Sequence, residues 1–268
     1  METVLQVFGI CLILGVIIGF MAGLLGIGGG IIAVPALLHI LPFVGVSAHF
    51  LPHVAIATSL AAIILTGLSS TRSHHKRSNI PWRLFKPMLP GFILGSISSG
   101  FISEYISANV LQQSFAIFVM LMAIQMAFPL GKQGEKEKLP SNILLFFSAA
   151  IVAIIAALMG IGGSVLLVPY LTFFGLQMRY AIGFSAASGL LIAVFGSVGY
   201  VLAGWNVHGL PQFTLGYIYI PALLGIVVSS TLTAPLGAKK VSVWPTNVLK
   251  KLFALLLLII GLKLVTTG

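Results

Sequence analysis

The chain has 268 residues, of which 59% are hydrophobic and 7% are charged, and its formal net charge is +10. A soluble globular domain carries about 25% charged residues, so this composition excludes that class and indicates a polytopic membrane protein. Cys11 is the only cysteine, which leaves no pair for an intrachain disulfide and no cysteine-based metal site.

Ten apolar runs follow one another along the chain, and most approach the roughly 20 residues that cross about 30 Å of hydrocarbon. The predicted spans are 4–25, 28–46, 50–70, 84–103 and 110–128, then 143–159, 162–177, 181–203, 213–236 and 248–266. A polar, charged stretch separates the two groups of five. We therefore predict an N-terminal membrane repeat at 1–131, a cytoplasmic linker at 132–140 and a C-terminal membrane repeat at 141–268.

A glycine cluster followed by a proline interrupts the apolar pattern twice. The first copy is Gly26-Ile27-Gly28-Gly29-Gly30 with Pro35, and the second is Gly160-Ile161-Gly162-Gly163-Ser164 with Pro169. Non-helical backbone inside a membrane is tolerated only where protein or a cavity surrounds it. Two interrupted segments in corresponding halves of a chain point to the substrate site of a secondary transporter. We therefore predict broken helices at both motifs.

The duplication extends beyond the glycine motifs, because further residues repeat at nearly constant spacing. Gly15 and Gly19 correspond to Ala149 and Ala153, and small residues at this spacing let helix backbones approach closely. The other matching segments are Ala55-Ile56 and Ser59 with Ala181-Ile182 and Ser185, and Asn109-Val110-Leu111 with Asn247-Val248-Leu249. The two halves are therefore predicted to share one fold.

Lysine and arginine cluster in three regions that can all lie on the same side of the membrane, at 72–83, 132–138 and 239–251. Short cytoplasmic loops are rich in these residues, whereas the loops at 104–109 and 204–212 contain none. With five crossings in each half, equivalent loops then lie on opposite sides. The predicted fold is an all-α polytopic membrane protein with about ten transmembrane segments in two inverted five-segment repeats, and both termini are extracytoplasmic.

The short helix after each glycine cluster is a candidate anion site. Its first N–H groups have no partner within the helix and carry partial positive charge, and glycine lets a ligand approach the backbone closely. The candidate ligand-binding residues are Gly28, Gly29, Gly30, Gly162, Gly163 and Ser164. The alternative is that these glycines only allow crossing helices to pack.

Side chains from the neighbouring segments can complete such a site. The hydroxyls of Thr58, Ser59 and Ser185 are candidate donors to an anion, and Ser59 and Ser185 are equivalent residues in the two halves. Arg179 and His53 are also equivalent, and they are candidate cationic groups, since basic residues within a membrane often mark a functional site. The alternatives are an interfacial Arg179, a packed neutral His53, and hydroxyls that bond carbonyls of their own helix.

The sequence offers few titratable groups that could couple transport to the movement of protons. The sequence contains no aspartate, and its four glutamates lie at ends or in loops, so carboxylates for a cation or metal site within the membrane are missing. If transport is linked to protons, His39, His49 and His53 are the candidate carriers. The alternative for each histidine is a structural role.

The duplicated glycine-proline motif, the Ala-Ile-x-x-Ser segments at 55–59 and 181–185, and the Asn-Val-Leu-x-x-x-Phe-Ala segments at 109–116 and 247–254 resemble the sulfite exporter TauE/SafE family of membrane permeases. The resemblance covers essentially the whole chain. It implies transport of sulfur-containing or related organic anions, such as sulfite, thiosulfate, sulfonates or sulfoacetate, across the prokaryotic cytoplasmic membrane. The resemblance does not identify the transported anion, and it does not say whether the anion is imported or exported.

We predict a secondary transporter that works by alternating access around an anion site near the membrane midplane, not an enzyme. The alternatives are a passive anion channel and, third, a membrane-embedded enzyme, for which the sequence offers no recognisable catalytic motif. The expected partners are a small anion, the lipid bilayer and, in a homodimer, a second copy of the chain. The basic run at 72–77 is expected to contact anionic headgroups, and neither a cofactor nor nucleic acid is expected.

Overall fold

The computed structural model describes residues 2–25, 29–127, 139–240 and 246–267. Within these ranges the helices are α1 (Glu2–Leu25), α2 (Gly30–Ile40), α3 (Leu51–Lys76), α4 (Phe85–Glu104), α5 (Ala108–Ala127), α6 (Asn142–Leu158), α7 (Ser164–Phe173), α8 (Met178–Ala203), α9 (Ile220–Lys240) and α10 (Thr246–Thr267). Short 3-10 turns follow α2 at Leu41–Val44 and precede α4 at Trp82–Leu84. An antiparallel hairpin of β1 (Thr214–Leu215) and β2 (Ile218–Tyr219) precedes α9.

Four helical segments in the described ranges are long and apolar enough to cross a membrane, namely Glu2–Ala22, Leu51–Lys76, Ala108–Gln125 and Met178–Ala203. Shorter apolar segments lie at Gly30–Val44, Asn142–Leu158, Ser164–Phe173 and Ile220–Leu236. The structure is thus that of a helical, multi-pass membrane protein.

The spans predicted at 28–46 and 162–177 are shorter as helices, since α2 ends at Ile40 and α7 ends at Phe173, and two further spans differ at one end. The span predicted to begin at 213 was wrong at its start, because the hairpin occupies 214–219 and the helix begins at Ile220. Phe213 and Gly216 have φ values of 68° and 53°, which an α-helix cannot include. The span predicted to end at 70 continues as helix to Lys76. Hydropathy marked the end of the apolar run there, but arginine and lysine continue a helix readily.

Helices α1 and α9 pack side by side, and so do α4 and α6. Gly15 lies against the backbone of Ile226 in the first pair, and Gly91 lies against the carbonyl of Phe146 in the second. A Cβ at either glycine would overlap the opposing backbone, so these glycines permit the close approach. Each contact thus joins the first helix of one predicted repeat to the fourth helix of the other.

Helices α3 and α8 lie at the centre of the bundle and run antiparallel. Leu60 contacts Gly196, Gly67 lies against Leu190, and the Thr71 hydroxyl donates to the Ala186 carbonyl at 3.2 Å. The residue numbers therefore rise along α3 while those of the contacting residues fall along α8. Each is the third helix of its predicted repeat.

Candidate functional site

The two glycine motifs meet beside Ile63, which lies near the midpoint of α3. A Cβ placed on Gly30 would overlap the Gly160 carbonyl and lie 2.8 Å from Ile63 Cδ1. A Cβ placed on Gly162 would lie 3.4 Å from Ile63 Cγ2. The Ile63 side chain therefore separates the start of α2 from the start of α7. No residue with a side chain fits at position 30 without moving backbone, which is why glycine is required there.

Both short helices begin at this junction. The Gly29 carbonyl accepts from the N–H of Ala33 at 3.0 Å, and the Gly163 carbonyl accepts from the N–H of Leu167 at 3.0 Å. The first two N–H groups of each helix precede any carbonyl that they can reach within it. Gly163 has φ 71°, in the left-handed region that glycine adopts at little cost. Each helix thus directs a positive dipole end towards the junction.

A cavity of about 520 Å³ extends from the start of α7 along the C-terminal half of α3. Its walls come from α1, α3, α8 and α9 as well as α7, and its lining reaches the exposed Arg77. Its polar lining residues are Thr66, Ser69, Ser70, Ser73, His74, Arg77 and Ser164. None of the lining residues that the structure describes carries a carboxylate. The cavity is therefore lined by groups that can hydrogen bond to an anion and by the positively charged guanidinium of Arg77.

A second, much smaller pocket lies on the other side of Ile63. Its volume is about 10 Å³, roughly the space of one water molecule. It is lined by Gly29, Gly30, Ser59 and Ser230, among others, and Ile63 and Thr66 line both spaces. The start of α2 is therefore nearly closed, whereas the start of α7 is open to the large cavity.

The structure brings most of the predicted glycine positions together. Gly29 and Gly30 line the small pocket, and Gly162 and Ser164 line the large cavity. Gly163 is the residue before the first turn of α7. The prediction for Gly28 lies outside the described residues.

Of the three predicted hydroxyls, only Ser59 lies at the junction. Its Oγ donates to the Gly160 carbonyl at 2.9 Å, which joins α3 to the second glycine motif. Thr58 Oγ1 accepts from the Tyr219 N–H at 3.0 Å and so anchors the hairpin. Ser185 is fully buried and lines neither space, and its hydroxyl has no partner among the described residues.

Arg179 and His53 lie at opposite ends of the antiparallel pair formed by α3 and α8, and neither lines the two spaces. Arg179 is exposed in the first turn of α8, where its guanidinium donates to the Tyr180 hydroxyl at 2.8 Å. His53 is buried in the first turn of α3, where its Nε2 pairs with the Ser103 carbonyl at 2.9 Å. The structure therefore does not bring this predicted pair into one site.

The other two predicted histidines lie near the same end as His53 and away from both spaces. His39 is exposed in the last turn of α2, and its Nδ1 pairs with the Pro35 carbonyl at 2.9 Å. His49 is exposed and packs edge-on against Phe50, with ring centroids 4.8 Å apart.

The end of α3 that carries His53 is filled by aromatic rings. Tyr217 in the hairpin turn lies 5.3 Å from His53, centroid to centroid, and its hydroxyl donates to Glu104 Oε1 at 3.5 Å. Burial raises the pKa of Tyr217 to about 12, and the Glu104 carboxylate contributes to this rise. Tyr200 and Tyr219 are completely buried. This end of the bundle is therefore closed by packed side chains.

The polar face of α3 is the part of the cavity that the sequence analysis missed. Thr66, Ser70, Ser73 and Arg77 repeat at the spacing of one helix face, and all four line the cavity. The spacing is present in the sequence, but the span predicted from hydropathy ends at 70, and the basic run at 72–77 is typical of contact with lipid headgroups. Among the described residues, no three His, Cys or Glu side chains cluster closely enough to hold a metal ion.

Known proteins similar to this chain are named as membrane transporters, and one transporter family model matches it. The family model described as sulfite exporter TauE/SafE matches residues 11–264. A probable membrane transporter protein of Haemophilus influenzae is 34% identical over 255 residues, which cover 95% of this chain and 97% of that protein. A probable membrane transporter protein of Methanocaldococcus jannaschii is 29% identical, with 85% of this chain and 84% of that protein covered.

A third relative, the probable membrane transporter protein YunE of Bacillus subtilis, is 27% identical, with 97% of this chain and 98% of that protein covered. No solved structure matches the chain. Because the family model spans nearly all of the sequence, and relatives named as transporters align over nearly their full length, the chain belongs to the sulfite exporter TauE/SafE family and is a multi-pass membrane transporter.

Proposed function

We propose that the protein is a secondary transporter that carries a sulfur-containing or related organic anion across the cytoplasmic membrane by alternating access. The observation that carries this proposal is the junction at Ile63, where the start of α7 opens into the cavity of about 520 Å³. Unpaired N–H groups at a helix start, hydroxyls and a guanidinium are the donors that bind oxyanions.

The charge of the cavity suits an anion, and its size admits a small one. Sites for small ligands commonly enclose about 300–1,000 Å³, and this cavity lies within that range. Its described lining offers donors and positive charge without a carboxylate that would repel the ligand. The same lining argues against a cation as the substrate, since a cation site within a membrane needs carboxylate or carbonyl ligands.

Alternating access is supported by the relation between the halves. Helices α3 and α8 are equivalent and run antiparallel, as inverted repeats require, and the pairs α1 with α9 and α4 with α6 are also equivalent. In this proposal the repeats at 1–131 and 141–268 rock against each other around the glycine junction.

The proposal also assigns a side to the cavity. Its open end carries Arg77, and basic residues at short loops mark the cytoplasmic side, so the cavity faces the cytoplasm and both termini face outward. The aromatic end around Tyr217 is then the closed outer gate. His53 is the proposed proton carrier, since it is the one buried histidine of the three candidates and it contacts both α4 and the hairpin.

The proposal is tested by uptake of labelled sulfite, thiosulfate and a small sulfonate into proteoliposomes, with protein-free liposomes as the control. Saturable uptake that is stimulated by the same anion on the opposite side supports a carrier. Flux that does not saturate and is indifferent to the opposite anion would instead indicate a channel. The absence of flux for all three anions would refute the proposed substrate class.

A further inference from the structure

We propose that the C-terminal half of α3 forms an anion-selective vestibule on one repeat only, and that Arg77 sets its selectivity. The vestibule is defined as the part of the cavity lined by Thr66, Ser70, Ser73, His74 and Arg77. It would admit small oxyanions and repel cations before they reach the glycine junction. The inference rests on the proposed function for the identity of the anion.

The first support is the alignment of these residues. Spacings of four, three and four residues between Thr66, Ser70, Ser73 and Arg77 place them along one face of a helix. That face lines the cavity from the level of the junction to the exposed end of α3. The Thr66 hydroxyl donates to the Ile63 carbonyl of its own helix at 3.1 Å, so the donors left for an anion that moves along α3 are those of Ser70, Ser73 and Arg77.

The second support is electrostatic. The last carbonyls of α3 carry partial negative charge, which alone would disfavour an anion at this mouth. Arg77 follows the last residue of α3 and is exposed at the mouth. A unit positive charge at this position exceeds the partial negative charge of the last carbonyls. The low-dielectric walls of a cleft focus the field of that charge on an incoming ion. Arg77 is the one charged side chain in the described lining of the cavity, so we expect the potential inside the mouth to depend more on it than on the neighbouring surface charges.

The third support is the contrast with the other repeat. The residues of α8 equivalent to this stripe are Ile192, Gly196, Gly199 and Ala203. None of them carries a polar side chain, and Gly196 and Gly199 pack against Leu60 and the backbone of Ile97. The vestibule is therefore not a consequence of the duplication. It is a feature of the first repeat and of one side of the membrane.

Cysteine labelling tests the vestibule without transport, because Cys11 is the only native cysteine and Cys11→Ala supplies a background without thiols. Ser70→Cys then reports from the cavity wall. We compare its rates of modification by a sulfonate-bearing and a trimethylammonium-bearing methanethiosulfonate of similar size. We expect the anionic reagent to react faster, and Arg77→Gln to lower the anion-to-cation rate ratio by about tenfold, since both reagents feel the lost charge with opposite sign.

Matched variants separate the vestibule from the general surface charge. Arg72→Gln removes the same charge from an exposed position on α3 that does not line the cavity, and it should change the ratio less than about twofold. Arg77→Lys should retain the ratio. Ser47→Cys, an exposed reporter outside the cavity lining, should show no response to Arg77→Gln. Equal falls with Arg72→Gln and Arg77→Gln, or an unchanged ratio with Arg77→Gln, would overturn the inference.

If Arg77→Gln does not yield a monodisperse protein, Ser73→Glu serves as the second variant, because it places a carboxylate in the lining and should reverse the preference. An unchanged preference in Ser73→Glu would overturn the inference in the same way. The labelling ratio and anion uptake are independent readouts. Loss of the expected ratio with intact thiosulfate uptake refutes the vestibule alone, whereas the expected ratio without uptake of any sulfur anion refutes the proposed function.

Discussion

A single added methyl group tests the two sides of the glycine junction. In Gly30→Ala the new Cβ would overlap the Gly160 carbonyl and lie 2.8 Å from Ile63 Cδ1. The carbonyl is backbone and cannot turn away, so α2 or the second motif must shift. Overpacking of this kind costs about 1–3 kcal/mol.

The same change at Gly162 has a different consequence. The nearest atoms to the new Cβ would be Ile63 Cγ2 at 3.4 Å and Gly189 Cα at 3.7 Å, which are ordinary contacts. We therefore expect Gly162→Ala to change stability by no more than about 0.5 kcal/mol. The methyl group would, however, stand in the cavity beside the first N–H groups of α7 and keep an anion away from them.

Both variants are compared with the wild type by thermal unfolding in detergent and by thiosulfate uptake. For a chain near this size, 1 kcal/mol shifts the unfolding midpoint by about 2–4 °C. Gly30→Ala should thus lower the midpoint by about 2–12 °C, and Gly162→Ala by at most about 2 °C. Gly162→Ala should nevertheless lower kcat/KM for uptake by at least about tenfold, equivalent to about 1.4 kcal/mol. A destabilised Gly162→Ala, or one with normal uptake, would refute this description of the junction.

Three further variants test contacts around the junction and the closed end. Ser59→Ala leaves the buried Gly160 carbonyl without its hydroxyl donor, and it should lower the free energy of unfolding by about 1–3 kcal/mol, measured as a lower thermal midpoint. Thr58→Val removes the acceptor of the Tyr219 N–H, so hydrogen exchange at that amide should accelerate by about tenfold. Because the pKa of Tyr217 is raised from 10.0 to about 12, only the unfolded state loses this proton between those pH values. Stability then falls as pH rises, and Tyr217→Phe should flatten that fall in unfolding measurements.

Each of these variants has its own check. Ser98→Ala is the control for Ser59→Ala, because the Ser98 hydroxyl donates to the Leu94 carbonyl of its own helix at 2.8 Å. Equal losses of unfolding free energy in the two variants would contradict the role of Ser59 in joining α3 to the second glycine motif. Unchanged exchange at Tyr219 in Thr58→Val would show that the hairpin is held by other contacts. An alkaline slope that Tyr217→Phe does not alter would show that the phenol is not shielded in the folded state.

The breaks in the helices could be predicted from the sequence because glycine and proline act on the local backbone. Helix α6 ends at Leu158 and α7 begins at Ser164, as the second glycine motif predicted. The membrane class followed from composition, since 7% charged residues cannot cover a soluble domain. The repeat stays a prediction, and it rests on residues such as Ser59 and Ser185 that recur at matching spacing.

What the tertiary structure decided is which of the repeated residues perform equivalent tasks. Ser59 reaches the carbonyl of Gly160, 101 positions away in the chain, whereas its equivalent Ser185 lines neither space. Equivalent positions in antiparallel helices lie at opposite ends of the pair, so His53 and Arg179 do not meet. Spacing within one segment is a property of the local backbone. The meeting of Gly30 with Gly160, and the choice of one face of α3 as a cavity wall, depend on how distant helices pack, and no local pattern contains that information.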